Sequence, residues 1–112
     1  MTYSPTPATV RPVRVQLPGM PPTTIRFENG QRSTAKLQVV SITGGLLRVL
    51  KPFSPGAIVE VFFPTSTGPV LGMAQMLAPC PSAPIGLQPF RFVAIDKGDL
   101  RKLKAAISLC LE

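Results

Sequence analysis

The chain has 112 residues, 45% of them hydrophobic and 15% charged, a balance that suits one globular domain with one core rather than a disordered segment. Histidine is absent and only five residues are acidic (Glu28, Glu60, Asp96, Asp99 and Glu112), so Ser-His-Asp and Cys-His catalytic constellations are excluded and an enzyme is not expected. The net charge of +7 points to an anionic partner instead.

Residues 1–22 hold six prolines with Thr, Ser and Gly between them, the composition of an extended, mobile tail rather than a packed element. The opening Met1-Thr2-Tyr3-Ser4-Pro5 has neither a basic nor an apolar signal region, and no stretch approaches the ~18 apolar residues of a membrane span. A cytoplasmic protein without a membrane span is therefore expected.

Residues 23–112 read as the folded domain. Fourteen prolines and nine glycines chop the chain into short pieces and favour strands and turns over long helices. Thr24–Glu28 forms a first strand, and Asn29-Gly30 is a two-residue hairpin signal. Gln31–Ile42 carries the chain back with Ala35, Leu37, Val39 and Ser41 on one face. Leu46–Leu50, Ile58–Phe63, Val70–Leu77 and Phe90–Ile95 complete the strand set, separated by turns at Pro52–Gly56 and Thr65–Pro69 and by the proline loop Pro79–Pro84. The pattern is mostly β: a small antiparallel six-stranded barrel or sandwich closed by one C-terminal α-helix.

Within this pattern residues 39–49, Val-Val-Ser-Ile-Thr-Gly-Gly-Leu-Leu-Arg-Val, stand out. Gly44 and Gly45 permit a sharp turn between strands, since glycine adopts positive φ without steric cost. Ser41 and Thr43 set hydroxyls beside amides that such a turn leaves unpaired, which makes either a plain structural hairpin or a small polar nest for an anion or a base edge.

The helix carries Leu100, Leu103, Ala106, Ile107, Cys110 and Leu111 on one stripe at helical spacing. Asp96 and Asp99, with Gly98 between them, form an N-terminal cap. Lys97, Arg101 and Lys104 fall together on a neighbouring stripe, where they oppose the helix dipole, so an acidic protein partner or a membrane surface is their functional reading. Cys80 and Cys110 are the only cysteines, and two thiols without histidine make no ordinary zinc site, so no metal or cofactor is expected and both read as buried or bystander thiols. Other basic residues are dispersed (Arg11, Arg14, Arg26, Arg32, Lys36, Arg48, Lys51, Arg91), and with six Phe, one Tyr and no Trp the stacking platform of a DNA- or RNA-binding surface is lacking.

Ser41-Ile42-Thr43-Gly44-Gly45 running straight into Leu46-Leu47-Arg48-Val49 resembles the Asp/Asn-x-Ser-x-x-Gly motif and following strand of the PilZ domain. Pro55-Gly56 before the apolar run Ala57–Phe63, the strand Val70–Leu77, and Phe90–Val93 followed by Leu100, Leu103 and Ile107 resemble that domain's later elements. The likeness spans about Ile25 to Leu111. It implies a PilZ-like β-barrel with a C-terminal helix and, as function, a bacterial signalling domain that receives cyclic di-GMP. In that family an Arg-x-x-x-Arg pair before the first strand grips the nucleotide by stacking and bidentate pairing. Here Arg11-Pro12-Val13-Arg14 is one residue shorter. Ser41 stands where the family has Asp or Asn, Thr43 stands where it has Ser, and one residue fewer precedes Gly44-Gly45. The resemblance implies Arg11, Arg14, Ser41, Thr43, Gly44 and Gly45 as the ligand-binding set. Two functions follow: a cyclic di-GMP receptor with altered motifs, or a PilZ-fold adaptor that has lost the nucleotide and works through protein-protein contact, with Lys97, Arg101 and Lys104 as partner surface. A tail folded onto the glycine turn favours the receptor, and an exposed apolar patch elsewhere favours the adaptor.

Overall fold

Alternating apolar residues give the strands their inward faces, and the computed structural model, which describes residues 12–79, 81 and 85–111, shows where each one ends. The elements in chain order are β1 (Pro22–Phe27), β2 (Arg32–Ser41), β3 (Gly44–Arg48), β4 (Ile58–Phe63), β5 (Val70–Met76), β6 (Leu87–Ile95) and α1 (Lys97–Leu111). All pairings are antiparallel, and the order β1-β2-β3-β6-β5-β4 closes on itself, so the sheet has no free edge. Ile25, Leu37, Val40, Leu47, Val61, Phe63, Val70, Ala74 and Met76 fill the interior, each 0–1% exposed.

β2 departs from simple alternation. Leu37 pairs with Leu47 and Val39 with Leu46, which leaves Gln38 as an extra residue in a bulge. The bulge moves the inward set from Ala35 and Leu37 to Val40, so Val39 is half-buried rather than a core residue as its spacing suggested.

The segment before β1 also differs from expectation. Arg11 and residues 1–10 lie outside the described residues, but Val15 and Leu17 are buried members of the core cluster. Val15 makes an antiparallel bridge with Val40 through two 2.9 Å backbone hydrogen bonds, and the Pro21 carbonyl accepts from Leu37 N–H. Residues 15–21 thus pack along β2, with a turn at Pro18-Gly19 closed by Met20 N–H to the Leu17 carbonyl at 3.3 Å, because β2 is long enough to offer unpaired backbone groups beyond the start of β1.

β6 begins at Leu87, three residues earlier than the sequence suggested. Pro89 hid that start, since proline weakens a strand reading, yet its carbonyl still accepts from Leu77 N–H at 2.9 Å. Gln88 is fully buried and was not singled out. Its Oε1 accepts from Phe53 N–H at 2.6 Å and its Nε2 donates to the Phe53 and Leu77 carbonyls at 2.7 and 3.3 Å. This one amide anchors the strandless connection between β3 and β4 to the barrel.

α1 starts at Lys97. Asp96 accepts from Gly98 N–H at 3.1 Å and so caps it, while Asp99 accepts from Leu71 N–H at 3.3 Å and ties the helix to β5. Leu103, Ala106 and Ile107 pack on the core. Cys110 and Leu111, expected on the same stripe, are exposed, because the last turn extends beyond the barrel. Cys80 lies outside the described residues. No helix among the described residues is long and apolar enough to cross a membrane.

Replacing Gln88 with Leu leaves the Phe53 N–H and C=O unpaired in a half-buried position. The expected loss is about 2–3 kcal/mol of unfolding free energy, read from the urea midpoint.

Candidate functional site

The turn between β2 and β3 is made by Ile42 and Thr43, and the two glycines belong to β3 itself. Gly44 pairs with Ser41 on one side and Arg91 on the other; Gly45 pairs with Val40 and Phe90. Both glycines are buried between strands. A Cβ on Gly44 would strike the Phe90 carbonyl oxygen and one on Gly45 would strike the Val39 carbonyl oxygen. The double glycine is thus required by the close approach of neighbouring backbones, and the sharp-turn reading of Gly45 is corrected.

Ser41 is 3% exposed and its hydroxyl is engaged within the turn. It donates toward the Gly44 carbonyl at 3.3 Å, lies 3.0 Å from the Thr43 hydroxyl and accepts from Thr43 N–H at 3.2 Å. The same geometry recurs between β4 and β5. Thr65 Oγ1 donates to the Gly68 carbonyl at 2.6 Å, lies 3.1 Å from the Thr67 hydroxyl and accepts from Thr67 N–H at 3.2 Å. Ser41-x-Thr43-Gly44 and Thr65-x-Thr67-Gly68 are therefore one local solution used twice, a repeat that the sequence displays and that pattern reading missed. Thr43 and Ile42 face solvent at the tip of the first of these turns.

The Val15–Val40 bridge brings the preceding segment to this hairpin. Continuing its antiparallel register by one residue sets Arg14 opposite Ser41, and Arg14 is exposed there. The described members of the sequence-derived set (Arg14, Ser41, Thr43, Gly44 and Gly45) therefore gather at one end of the barrel. Lys97, Arg101 and Lys104 are exposed on α1, which follows β6 at that same end. Among the described residues the ion pairs are Arg26–Glu60 at 3.7 Å and Lys102–Asp99 at 3.5 Å, so Arg14 and these three helix cations have no carboxylate partner. No group of three or more His, Cys, Asp or Glu among the described residues is placed to hold a metal.

An exposed apolar patch lies elsewhere, on the outer face of β4, β5 and β6. Phe62 and Leu71 are register partners at 44% and 42% exposure, and Met73 and Val93 are 43% and 40% exposed.

No family model and no curated protein matches the sequence. Comparison of folds does find relatives. The PilZ domain of CeSA from a cellulose synthesizing bacterium superposes with a TM-score of 0.63 at 14% identity, covering 87% of this chain and 97% of that one. The PilZ domain with c-di-GMP of YcgR from Escherichia coli gives 0.64 at 18% identity over 90% and 91%. MrkH of K. pneumonia in its apo state gives 0.69 at 12% identity; 88% of this chain is covered, which spans about half (48%) of that one. The chain has a PilZ-like fold: a closed six-stranded antiparallel barrel with one C-terminal helix.

Two substitutions separate the roles within the hairpin. Gly45→Ala forces strand backbones apart and should cost about 3 kcal/mol or more, whereas Ser41→Ala loses one turn-closing hydroxyl and should cost about 1 kcal/mol. Urea unfolding of both variants checks the ranking.

Proposed function

We propose that this protein is a signalling domain that receives cyclic di-GMP at the end of the barrel formed by Arg14 and the Ser41–Gly45 hairpin. The observation that carries this reading is the Val15–Val40 bridge, which holds the lead segment against β2 and brings Arg14 alongside the hairpin tip. The YcgR PilZ domain of similar fold is a complex with c-di-GMP, which supports the same ligand class here.

The chemistry of the site suits a planar, doubly phosphorylated ligand. Arg14 has a guanidinium without an acidic partner among the described residues, able to stack on a base or to fork onto phosphate oxygens. Thr43 offers an exposed hydroxyl at the turn. Gly44 and Gly45 keep the β3 backbone free of side chains where it meets β2 and β6. Ser41 supports the site from beneath by closing the turn, so its replacement of a family Asp or Asn removes a direct acceptor for guanine N–H groups. Arg11, outside the described residues, is assigned to the same ligand by the resemblance to the family's arginine pair, although its spacing from Arg14 is one residue shorter. Binding is non-catalytic, and a change in how the chain ahead of the Val15–Val40 bridge sits against the ligand is the output.

The adaptor reading is favoured by a different observation, the apolar patch of Phe62, Leu71, Met73 and Val93. On that reading the nucleotide is dispensable and a protein partner covers the sheet, with Lys97, Arg101 and Lys104 as an adjoining basic surface.

Isothermal titration with cyclic di-GMP at low and moderate salt decides between them. Micromolar binding that persists at ~0.15 M salt, and weakens at least tenfold in the Arg11→Ala, Arg14→Ala double variant, is the expected result. Binding that fades with salt, or that survives the double variant unchanged, overturns the receptor and leaves the adaptor.

A further inference from the structure

The end of the barrel opposite the candidate site has its own unexplained chemistry. It carries the β1–β2 turn, the β3–β4 connection and the loop into β6. Leu50 in that connection is 104% exposed and Ile85 in that loop is 100% exposed, so neither side chain is shielded by its own fold. Both flank one tie between these segments: Val49 N–H donates to the Gly86 carbonyl at 2.8 Å, next along after the Arg48↔Leu87 pair, so Leu50 and Ile85 project from the same end of the barrel without covering one another.

Four cations lie around Leu50. Leu50 lines a cleft of about 630 Å3 with Arg32 and Lys51, and a second of about 400 Å3 with Lys36 and Arg48. Lys36 and Arg48 are register partners on β2 and β3, a like-charge juxtaposition that weakens the sheet. Arg48 donates to Gln38 Oε1 at 2.8 Å rather than to a carboxylate. None of the four cations belongs to an ion pair among the described residues, and Glu28 is the one acidic residue in a loop at this end.

Stability explains neither the bare aliphatic pair nor the unpaired cations. Together they match a surface that is anionic outside and apolar just beneath, which is the interface of an acidic bilayer. Side chains projecting without shielding can enter such an interface on all sides. The Gln88 anchor on Phe53 holds the Leu50 connection firmly to the barrel, so insertion needs no refolding. We propose that this end of the barrel docks on anionic membrane surfaces, with Leu50 and Ile85 entering the headgroup region and Arg32, Lys36, Arg48 and Lys51 pairing with lipid phosphates. The Arg14–Ser41 end would then face away from the bilayer.

The test is co-sedimentation of the full chain with vesicles of phosphatidylglycerol and phosphatidylcholine, against vesicles of phosphatidylcholine alone. Binding only to the acidic vesicles is expected, falling at least fivefold in Leu50→Ser, Ile85→Ser and about twentyfold in Lys36→Gln, Arg48→Gln. All four positions are exposed, and an unchanged urea midpoint confirms that the variants fold. Because the chain has no tryptophan, Leu50→Trp supplies a single reporter whose emission shifts to the blue if this end inserts. An unshifted emission on bound protein means docking through another face and overturns the proposal. So does binding that the serine variants leave unchanged, or tighter binding to a 20-nucleotide single strand than to acidic vesicles at equal salt, which would assign the cations to nucleic acid.

Discussion

The barrel depends on how closely three backbones approach at the start of β3. At Gly44 and Gly45 the neighbouring carbonyls of Phe90 and Val39 occupy the space a Cβ would need, and the Phe90 ring stands 3.2 Å from the missing Cβ of residue 45. Phe90 in turn meets Phe92 edge-on at 5.3 Å between centroids, and the Phe92 ring covers Gly72 on β5. A short strand of five residues thereby joins β2 to β6 and lets the sheet close. Closure leaves no unpaired edge, which matters for a chain whose strands carry so few charges.

That closure divides the molecule into two ends with different chemistry. One end collects the β2–β3 hairpin, the β4–β5 hairpin, the packed lead segment and the helix. Both hairpins there use a Ser or Thr hydroxyl to close the turn, and Thr67 of the second also donates to the Lys102 carbonyl of α1. The other end is held by the buried Gln88 amide and by the Phe27–Phe53 edge contact at 5.5 Å. Its β3–β4 connection is tied down by these contacts, yet this end presents bare aliphatic and basic side chains. A nucleotide reading belongs to the first end and a surface-docking reading to the second, so the two do not compete for residues.

Much of this was legible because local physics and fold agree. Alternation in Ile58–Phe63 and Val70–Met76 and the Asp96 cap act over a few residues and are found where the pattern put them. Asn29-Gly30 does turn the chain, but in a three-residue loop over residues 28–30, closed by Phe27 N–H to the Gln31 carbonyl, rather than in the two-residue turn expected. The residues that misled are those whose role is set by a neighbour far away in sequence. Val39 left the core because Gln38 bulges against β3, Pro89 concealed the first three residues of β6, and Cys110 and Leu111 lie past the barrel that was expected to cover them. Of the candidate site, the hairpin was legible from Ser41 to Gly45. The placement of Arg14 was not, since it rests on the single bridge between Val15 and Val40.

By itself the sequence determined the class of fold, the order of its elements and the absence of histidine-based chemistry, because period, turn residues and composition are properties of the chain alone. Tertiary structure decided what each special residue is for. Gly44 and Gly45 serve strand packing because two other strands press on them, Ser41 turns inward because its turn needs closing, and Gln88 anchors a loop from 35 residues away. Leu50 and Ile85 are ordinary aliphatic residues in the sequence. Only the tie between Val49 and Gly86 brings their segments to one end of the barrel, and only their full exposure, with four cations around Leu50, gives them a role to explain.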